Sequence, residues 1–165
     1  MSADIRLARM TDVDELVGIE NAVFGGDRIS RRSFRHLAAV ASAAVLVAEV
    51  DRRIAGYAVL LFRNGNRTAR LYSLAAAPGE AGRGHGHALM AAAEAEARRR
   101  HASVLRLEVR ADNDRARRLY EARGYRETGS VADYYADGAT ARRFEKPLAA
   151  PEARETQDRA RRFPT

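Results

Sequence analysis

Cysteine and tryptophan are both absent from the 165 residues, and lysine occurs once, as Lys146. The missing cysteine excludes a disulfide framework, thiolate zinc and iron–sulfur sites, and thiol catalysis. No apolar run approaches the ~20 residues that cross a bilayer. The opening MSADIRLARM has no signal-peptide core, so a cytoplasmic protein with no membrane partner is expected. No basic motif is interleaved with aromatics, so direct nucleic-acid recognition is not expected. Four histidines leave a His/carboxylate metal site open on composition alone.

What is present fits one domain: 46% hydrophobic residues, 31% charged, and a length close to a single folding unit. The net charge is +7, and 28 of the 29 basic side chains are arginine. Such an excess reads as a solvated arginine-rich surface. Its functional counterpart is affinity for an anionic ligand or partner, such as a phosphorylated cofactor or a ribosome.

Residues 4–9 alternate as a first strand. Thr11 is placed to cap a helix whose apolar stripe runs Val13, Leu16, Val17, Ile19, Val23 and Phe24. Gly25-Gly26 closes it, and Ser30 can cap a second helix. Strands are expected over 43–50, 54–62 and 69–77, with turns at Asp51–Arg53 and Arg63–Thr68. The alanine-rich stretch 86–100 reads as helix. A strand at 103–109, a helix from Asn113 to a left-handed Gly124, and strands near 126–132 and 140–147 complete the order. Hairpins mixed with helical crossovers imply an α/β (α+β) domain. Its mixed, mostly antiparallel sheet has about six to seven strands and helices on both faces. The domain is expected to occupy 1–148, and residues 149–165, polar and without periodicity, read as a mobile tail.

Two stretches carry chemistry. The first, Ala77 to His87, joins a strand to a helix N-terminus, with Gly82, Gly84 and Gly86 free to adopt positive φ. Unpaired N–H groups of a first helical turn attract phosphate there. A plain tight turn would look the same in sequence. No Lys-Ser/Thr follows the glycines, which excludes a P-loop. The second stretch, residues 105–125, puts Glu108 on a strand and Asn113 and Tyr120 two helical turns apart on one face. Taken singly, these three residues read as a strand carboxylate paired with arginine, a helix cap and a core aromatic. Tyr134-Tyr135 can close over a substrate amine or pack on the sheet. His85 and His87, one residue apart inside a phosphate loop, do not suggest a metal site, and no metal is expected.

Together the two stretches resemble the GCN5-related N-acetyltransferase (GNAT) superfamily. Its pyrophosphate loop, Gln/Arg-x-x-Gly-x-Gly/Ala, is similar to Ala81-Gly82-Arg83-Gly84-His85-Gly86. Its Asn-x-x-Ala-x-x-x-Tyr-x-x-x-Gly-Phe/Tyr pattern is matched by Asn113, Ala116, Tyr120, Gly124 and Tyr125. The resemblance covers roughly 4–148. Within the family it leans toward bacterial ribosomal-protein alanine N-acetyltransferases, through Leu107-Glu108-Val109-Arg110 and Tyr134-Tyr135 before an Asp-Gly turn.

The resemblance implies the GNAT fold, acetyl-CoA as donor, CoA as product, and direct attack by an amine in a ternary complex. It implies that Leu74, Ala75 and Ala76 offer backbone groups to the pantetheine arm. Gly82, Arg83, Gly84, His85, Gly86 and His87 would hold the pyrophosphate, and Asn113 would bond the pantetheine. Tyr120 would protonate the leaving thiolate, and Glu108 would take the proton of the attacking ammonium. The departure is Ala81, which has no side-chain donor where the family has Gln or Arg. The acceptor implied is a protein or peptide N-terminal α-amine, a ribosomal protein among the candidates, with the chain a monomer or homodimer. Near pH 7.5, freeing an α-amine of pKa ~8 costs under ~1 kcal/mol, against about 4 kcal/mol for lysine. Alternatives are a protein-lysine or small-amine (polyamine, aminoglycoside) acetyltransferase, or a non-catalytic acyl-CoA-binding or ribosome-associated module.

Overall fold

The computed structural model describes residues 3–149. The tail expected over 149–165 therefore lies, beyond Ala149, outside the described residues. The strands are β1 (Asp4–Leu7), β2 (Ala43–Val50), β3 (Arg53–Leu61), β4 (Thr68–Ala76), β5 (Val104–Arg110), β6 (Arg126–Val131) and β7 (Ala141–Pro147). The helices are α1 (Val13–Val23), α2 (Arg31–Ala39), α3 (His85–Arg99) and α4 (Asp114–Ala122), with one 3-10 turn (Met10–Asp12) before α1. The element order is the one expected from the sequence. Thr11 falls inside the 3-10 turn and does not cap α1, whose N-cap is Asp12.

The strands form one sheet in the order β1-β2-β3-β4-β5-β7-β6, antiparallel except for β4 beside β5. β2 and β3 are buried along almost their whole length because helices cover both faces. On one face α3 packs Leu89, Met90, Ala93 and Ala97 against Leu46, Ala58, Leu60, Leu71 and Leu105. On the other, α1 and α2 pack Val13, Leu16, Ile19 and Phe34 against Val45, Val47, Tyr57 and Val59. β5 follows strict alternation: Leu105, Leu107 and Val109 enter the α3 side, while Arg106, Glu108 and Arg110 point the opposite way.

The Asp51-Arg52 turn between β2 and β3 has φ of 50° and 66°, the primed geometry that matches strand twist, here without glycine. Two buried carboxylates tie helices to the sheet. Glu20 of α1 accepts from the Tyr57 hydroxyl and from Ile29 N–H at 3.2 Å. Glu94 of α3 accepts from Arg123 (2.9 Å), the Tyr125 hydroxyl (2.9 Å) and Lys146 (3.0 Å). Among the described residues, no helix is long and apolar enough to cross a membrane.

Candidate active site

β4 and β5 pair only from Thr68↔Val104 to Leu71↔Leu107. Beyond that point each strand continues without the other, β4 to Ala76 and β5 to Arg110. The cause lies in β4. Its register against β3 jumps from Leu60↔Leu71 to Val59↔Ser73, leaving Tyr72 as the extra residue of a bulge. A bulge bends its strand and sharpens its twist, so β4 veers away from β5 and a gap opens between them.

The gap exposes backbone. Ala77 N–H donates to Ala55 at 2.8 Å, so the alternation along β4 sends Ala75's polar groups to β3 as well. Leu74 and Ala76 therefore turn theirs to the gap. Of the three residues expected to offer backbone to a ligand, Leu74 and Ala76 turn their polar groups to the gap and Ala75 turns its own to β3.

The loop from Pro78 to Gly84 leads from β4 into α3. Gly79, Gly82 and Gly84 have φ of 82°, 81° and 85°, a region that disfavours any Cβ. Gly84 is the N-cap of α3, and the N–H groups of residues 82–87 find no acceptor among the described residues. That row of donors beside the positive end of a helix dipole is the cradle an anion occupies. Gly86 differs from the sequence expectation. It has an ordinary helical φ, and its role is closeness, because a Cβ there would lie 3.1 Å from Leu119 of α4.

Side chains around this loop divide unexpectedly. His85 is buried, with Nε2 2.9 Å from Glu80, so its side chain turns away from the cradle and only its N–H faces it. Arg83, 65% exposed, leans toward Glu80 at 3.6 Å. A second cation, Arg115 in the first turn of α4, reaches the cradle. Its Nη2 would lie 3.3 Å from a Cβ on Gly82, and it forms no ion pair among the described residues. Sequence reasoning missed Arg115. The available signal was its place two residues after Asn113, on the helix that the motif itself brings to the loop.

Asn113 caps α4, its Oδ1 accepting from Ala116 N–H at 3.1 Å. The cap consumes that oxygen and leaves the amide NH₂ for a ligand. At the other end, α4 closes in a Schellman turn around Gly124 (φ 90°). Tyr125 N–H bonds Tyr120 O at 3.0 Å and Gly124 N–H bonds Glu121 O at 3.0 Å. The rings of Tyr120 and Tyr125 meet edge to face, centroids 5.9 Å apart. Tyr120 is thus fixed by its backbone and its ring together. Burial, with Tyr135 nearby as a second cause, pushes its phenol well above the ordinary value, so it is a proton donor at neutral pH.

Glu108 lies just past the last β4–β5 pair, its side chain 5% exposed. Arg70 Nε donates to one carboxylate oxygen at 3.1 Å and Arg143 Nε to the other at 3.3 Å. Arg106 Nε stands 3.8 Å away. Arg70 also donates to the Tyr134 hydroxyl at 2.6 Å. Tyr134 and Tyr135 pack edge to face at 5.0 Å, and Arg110 sits over the Tyr135 ring at 5.1 Å. The structure therefore gathers Glu108, Tyr120 and the Tyr134-Tyr135 pair from three parts of the chain. The sequence allowed Glu108 an arginine partner but did not indicate that Arg70, Arg106 and Arg143 would all converge on it.

A cavity of about 750 Å³ opens on the β3 side of the same loop, lined by Glu15, Asp51, Arg53, Glu80 and His85 among others. Neither Glu108 nor Tyr120 borders it, and we assign the chemistry to the gap. Among the described residues, no cluster of His, Asp or Glu is arranged to hold a metal ion.

Comparison with known proteins agrees with this geometry. The sequence pattern of the acetyltransferase (GNAT) family matches residues 13–125. An N-alpha-acetyltransferase of Sulfurisphaera tokodaii is 31% identical over 155 residues, covering 87% of this chain and 92% of that protein. The ribosomal-protein-S18-alanine N-acetyltransferase from Escherichia coli superposes with a TM-score of 0.78 at 26% identity, covering 89% of this chain and 94% of the other. The ribosomal-protein-alanine N-acetyltransferase from Brucella melitensis gives 0.77 at 25% identity, over 88% and 99%.

Proposed function

The chain belongs to the acetyltransferase (GNAT) family, and from that premise we propose that it carries an acetyl group from acetyl-CoA to the α-amine of a protein or peptide. The observation that carries this reading is the gap itself. It has a row of free N–H groups at one end, an edge of free β4 backbone along one wall, and a carboxylate and a buried phenol at the other end.

The residues fit a pantetheine-linked pyrophosphate. The N–H groups of residues 82–87 would bind its oxygens, with Arg115 as counter-charge. Leu74 and Ala76 would pair with the amide-bearing arm as a strand pairs with its neighbour, and the Asn113 amide would reach the same arm. When bound, acetyl-CoA supplies a thioester whose carbonyl carbon bonds to the acceptor nitrogen as the C–S bond breaks. Glu108 takes the proton lost by that nitrogen. Its arginines occupy one lone pair on each oxygen and leave others for the amine or a bridging water. Tyr120 gives its proton to the departing sulfur.

The α-amine is favoured over lysine by proton energetics and by the named activity of the relatives, ribosomal-protein alanine acetylation included. The test is thiol release from acetyl-CoA with a panel of N-terminal peptides, a ribosomal-protein N-terminus among them, lysine peptides blocked at the N-terminus, and polyamines. Turnover confined to free α-amines is the expected result. Turnover only with lysine or polyamine would overturn the reading of the acceptor.

A further inference from the structure

Among the described residues, α1 packs on β3 and β4 and α2 on β2, and neither packs extensively on the β5 face that bears Arg106, Glu108 and Arg110. Arg106 and Arg143 remain about a third exposed there, at 35% and 36%. On this open side three guanidinium groups converge on a single carboxylate. Arg70, Arg106 and Arg143 stand 3.1, 3.8 and 3.3 Å from Glu108. One negative charge answers three positive ones.

The neighbouring residues do not cancel the excess. Arg110 is matched by its own acids, Asp137 at 2.7 Å and Asp112 at 3.3 Å. Glu145 stands opposite Arg106 in the β5–β7 register but forms no ion pair among the described residues. Arg106 Nε is buried and lacks an acceptor. A buried N–H of this kind is normally satisfied, and here nothing among the described residues satisfies it. Two exposed aromatics flank the cluster. Arg70 lies 5.8 Å from the centroid of the Tyr72 ring and donates to Tyr134. Tyr72 is the bulge residue of β4, so the feature that opens the gap also raises one wall of this basin.

We propose that the preferred acceptor is a polypeptide N-terminus with Asp or Glu in the first few positions after the reacting amine, its carboxylates held by Arg70, Arg106 and Arg143. The inference rests on the α-amine reading and narrows it. The same cations disfavour an ammonium beside Glu108, and so favour the neutral nucleophile that transfer requires. Arginine-rich N-termini are repelled from the basin.

The experiment uses three peptides that share an N-terminal alanine and differ only at positions two and three: Asp-Glu, Gly-Gly and Arg-Arg. Binding to the CoA-saturated full-length protein is measured by calorimetry, and kcat/KM by thiol release, each at low and high salt. The acidic peptide should exceed the neutral one by about tenfold at low salt, with the basic peptide weakest and the spread narrowing at high salt. Arg106→Gln should compress the acidic-to-neutral ratio and Arg106→Glu should invert it. The Gln variant, checked by circular dichroism, serves if the reversal impairs folding. Equal or reversed preference in the unmodified protein overturns the proposal. An acidic preference in binding without acetylation of any peptide would overturn the α-amine reaction while upholding the charge preference.

Discussion

Arg70 Nε donates to Glu108 Oε2 at 3.1 Å, joining β4 to β5 at the point where their backbone pairing ends. The contact is diagonal. Arg70 is in register with Arg106, and Glu108 is one residue past the last paired position, Leu107. Where the ladder of backbone bonds stops, a side-chain ion pair takes over and holds the Glu108 carboxylate at the mouth of the gap. The Arg143 contact from β7 fixes the other oxygen, so the carboxylate is positioned from both neighbouring strands.

Removing the base or the acid should slow transfer and leave the fold intact. Glu108→Gln and Tyr120→Phe are each expected to lower kcat by ~10²–10⁴-fold with acetyl-CoA affinity retained. The Glu108→Gln defect should shrink as pH rises toward the α-amine pKa of ~8, because more acceptor is then already neutral. Steady-state profiles from pH 6 to 9 distinguish the roles. A defect constant across that range would make Glu108 a positioning residue.

The cradle lacks the family's side-chain donor at Ala81, and Arg115 reaches the cradle from α4. A charge-assisted hydrogen bond contributes about 1.5–3 kcal/mol at best, and exposure brings it toward the low end. Arg115→Ala should therefore weaken acetyl-CoA binding about tenfold at low salt, and less as ionic strength rises. Ala81→Arg should tighten binding, more so in the Arg115→Ala background, since one cation would then replace the other. A double-mutant cycle by calorimetry reads this coupling. Independent, purely additive effects would mean that the two positions do not share a phosphate.

The elements and their order were legible because each rests on local signals: the period of α1, the alternation of β5, Gly124 after α4. The loop and the Asn113–Tyr120 helix were legible because their spacing is a motif. Two things were not. The bulge at Tyr72 is a one-residue mismatch between strands, invisible in either strand alone. The arginines around Glu108 come from β4, β5 and β7, brought together only by sheet order. With 28 arginines in the chain, no local pattern marks Arg70, Arg106 and Arg143 as a set. Likewise, the sequence does not show that Arg83 pairs with Glu80 within its own loop.

Gly56 is a packing requirement of the gap. A Cβ there would stand 2.7 Å from the Ala75 carbonyl oxygen and 3.2 Å from Leu89 Cδ1. Backbone cannot yield as a side-chain tip can, so Gly56→Ala must shift the end of β4 or part α3 from the sheet. The expected cost is about 1–3 kcal/mol, with about 2–4 °C of Tm per kcal/mol at this size. Acetyl-CoA affinity should fall as well, because the moved segment carries Leu74 and Ala76. Gly18→Ala, in α1 with nothing within 4 Å, should instead be neutral or stabilising by about 0.5–1 kcal/mol. Equal melting curves for both variants would show that β4 adjusts without cost.

Glu94 links acid stability to the α4 turn that carries Tyr120. Burial pushes its carboxyl upward, but Arg123, Lys146 and the Tyr125 hydroxyl outweigh burial and hold it below its usual value. A carboxyl whose folded pKa is depressed stabilises the fold above its unfolded pKa, roughly 4.3, and loses that contribution as pH falls through the folded value. Stability measured by urea unfolding should therefore be flat from pH 7 to about 5, as far as this group is concerned, and decline below about 4. Glu94→Gln removes the charge and leaves Arg123 and the chain's single lysine without a counter-ion, at a cost of about 3 kcal/mol near pH 7. The variant should lack the part of the acid decline that Glu94 causes, so the two stability curves converge as pH drops. Because Arg123 is the C-cap of α4 and Tyr125 packs on Tyr120, the variant should also lose kcat at neutral pH with little change in acetyl-CoA affinity. Curves that stay parallel down to pH 3 would remove Glu94 from the acid response, and an unchanged kcat would separate this cluster from Tyr120.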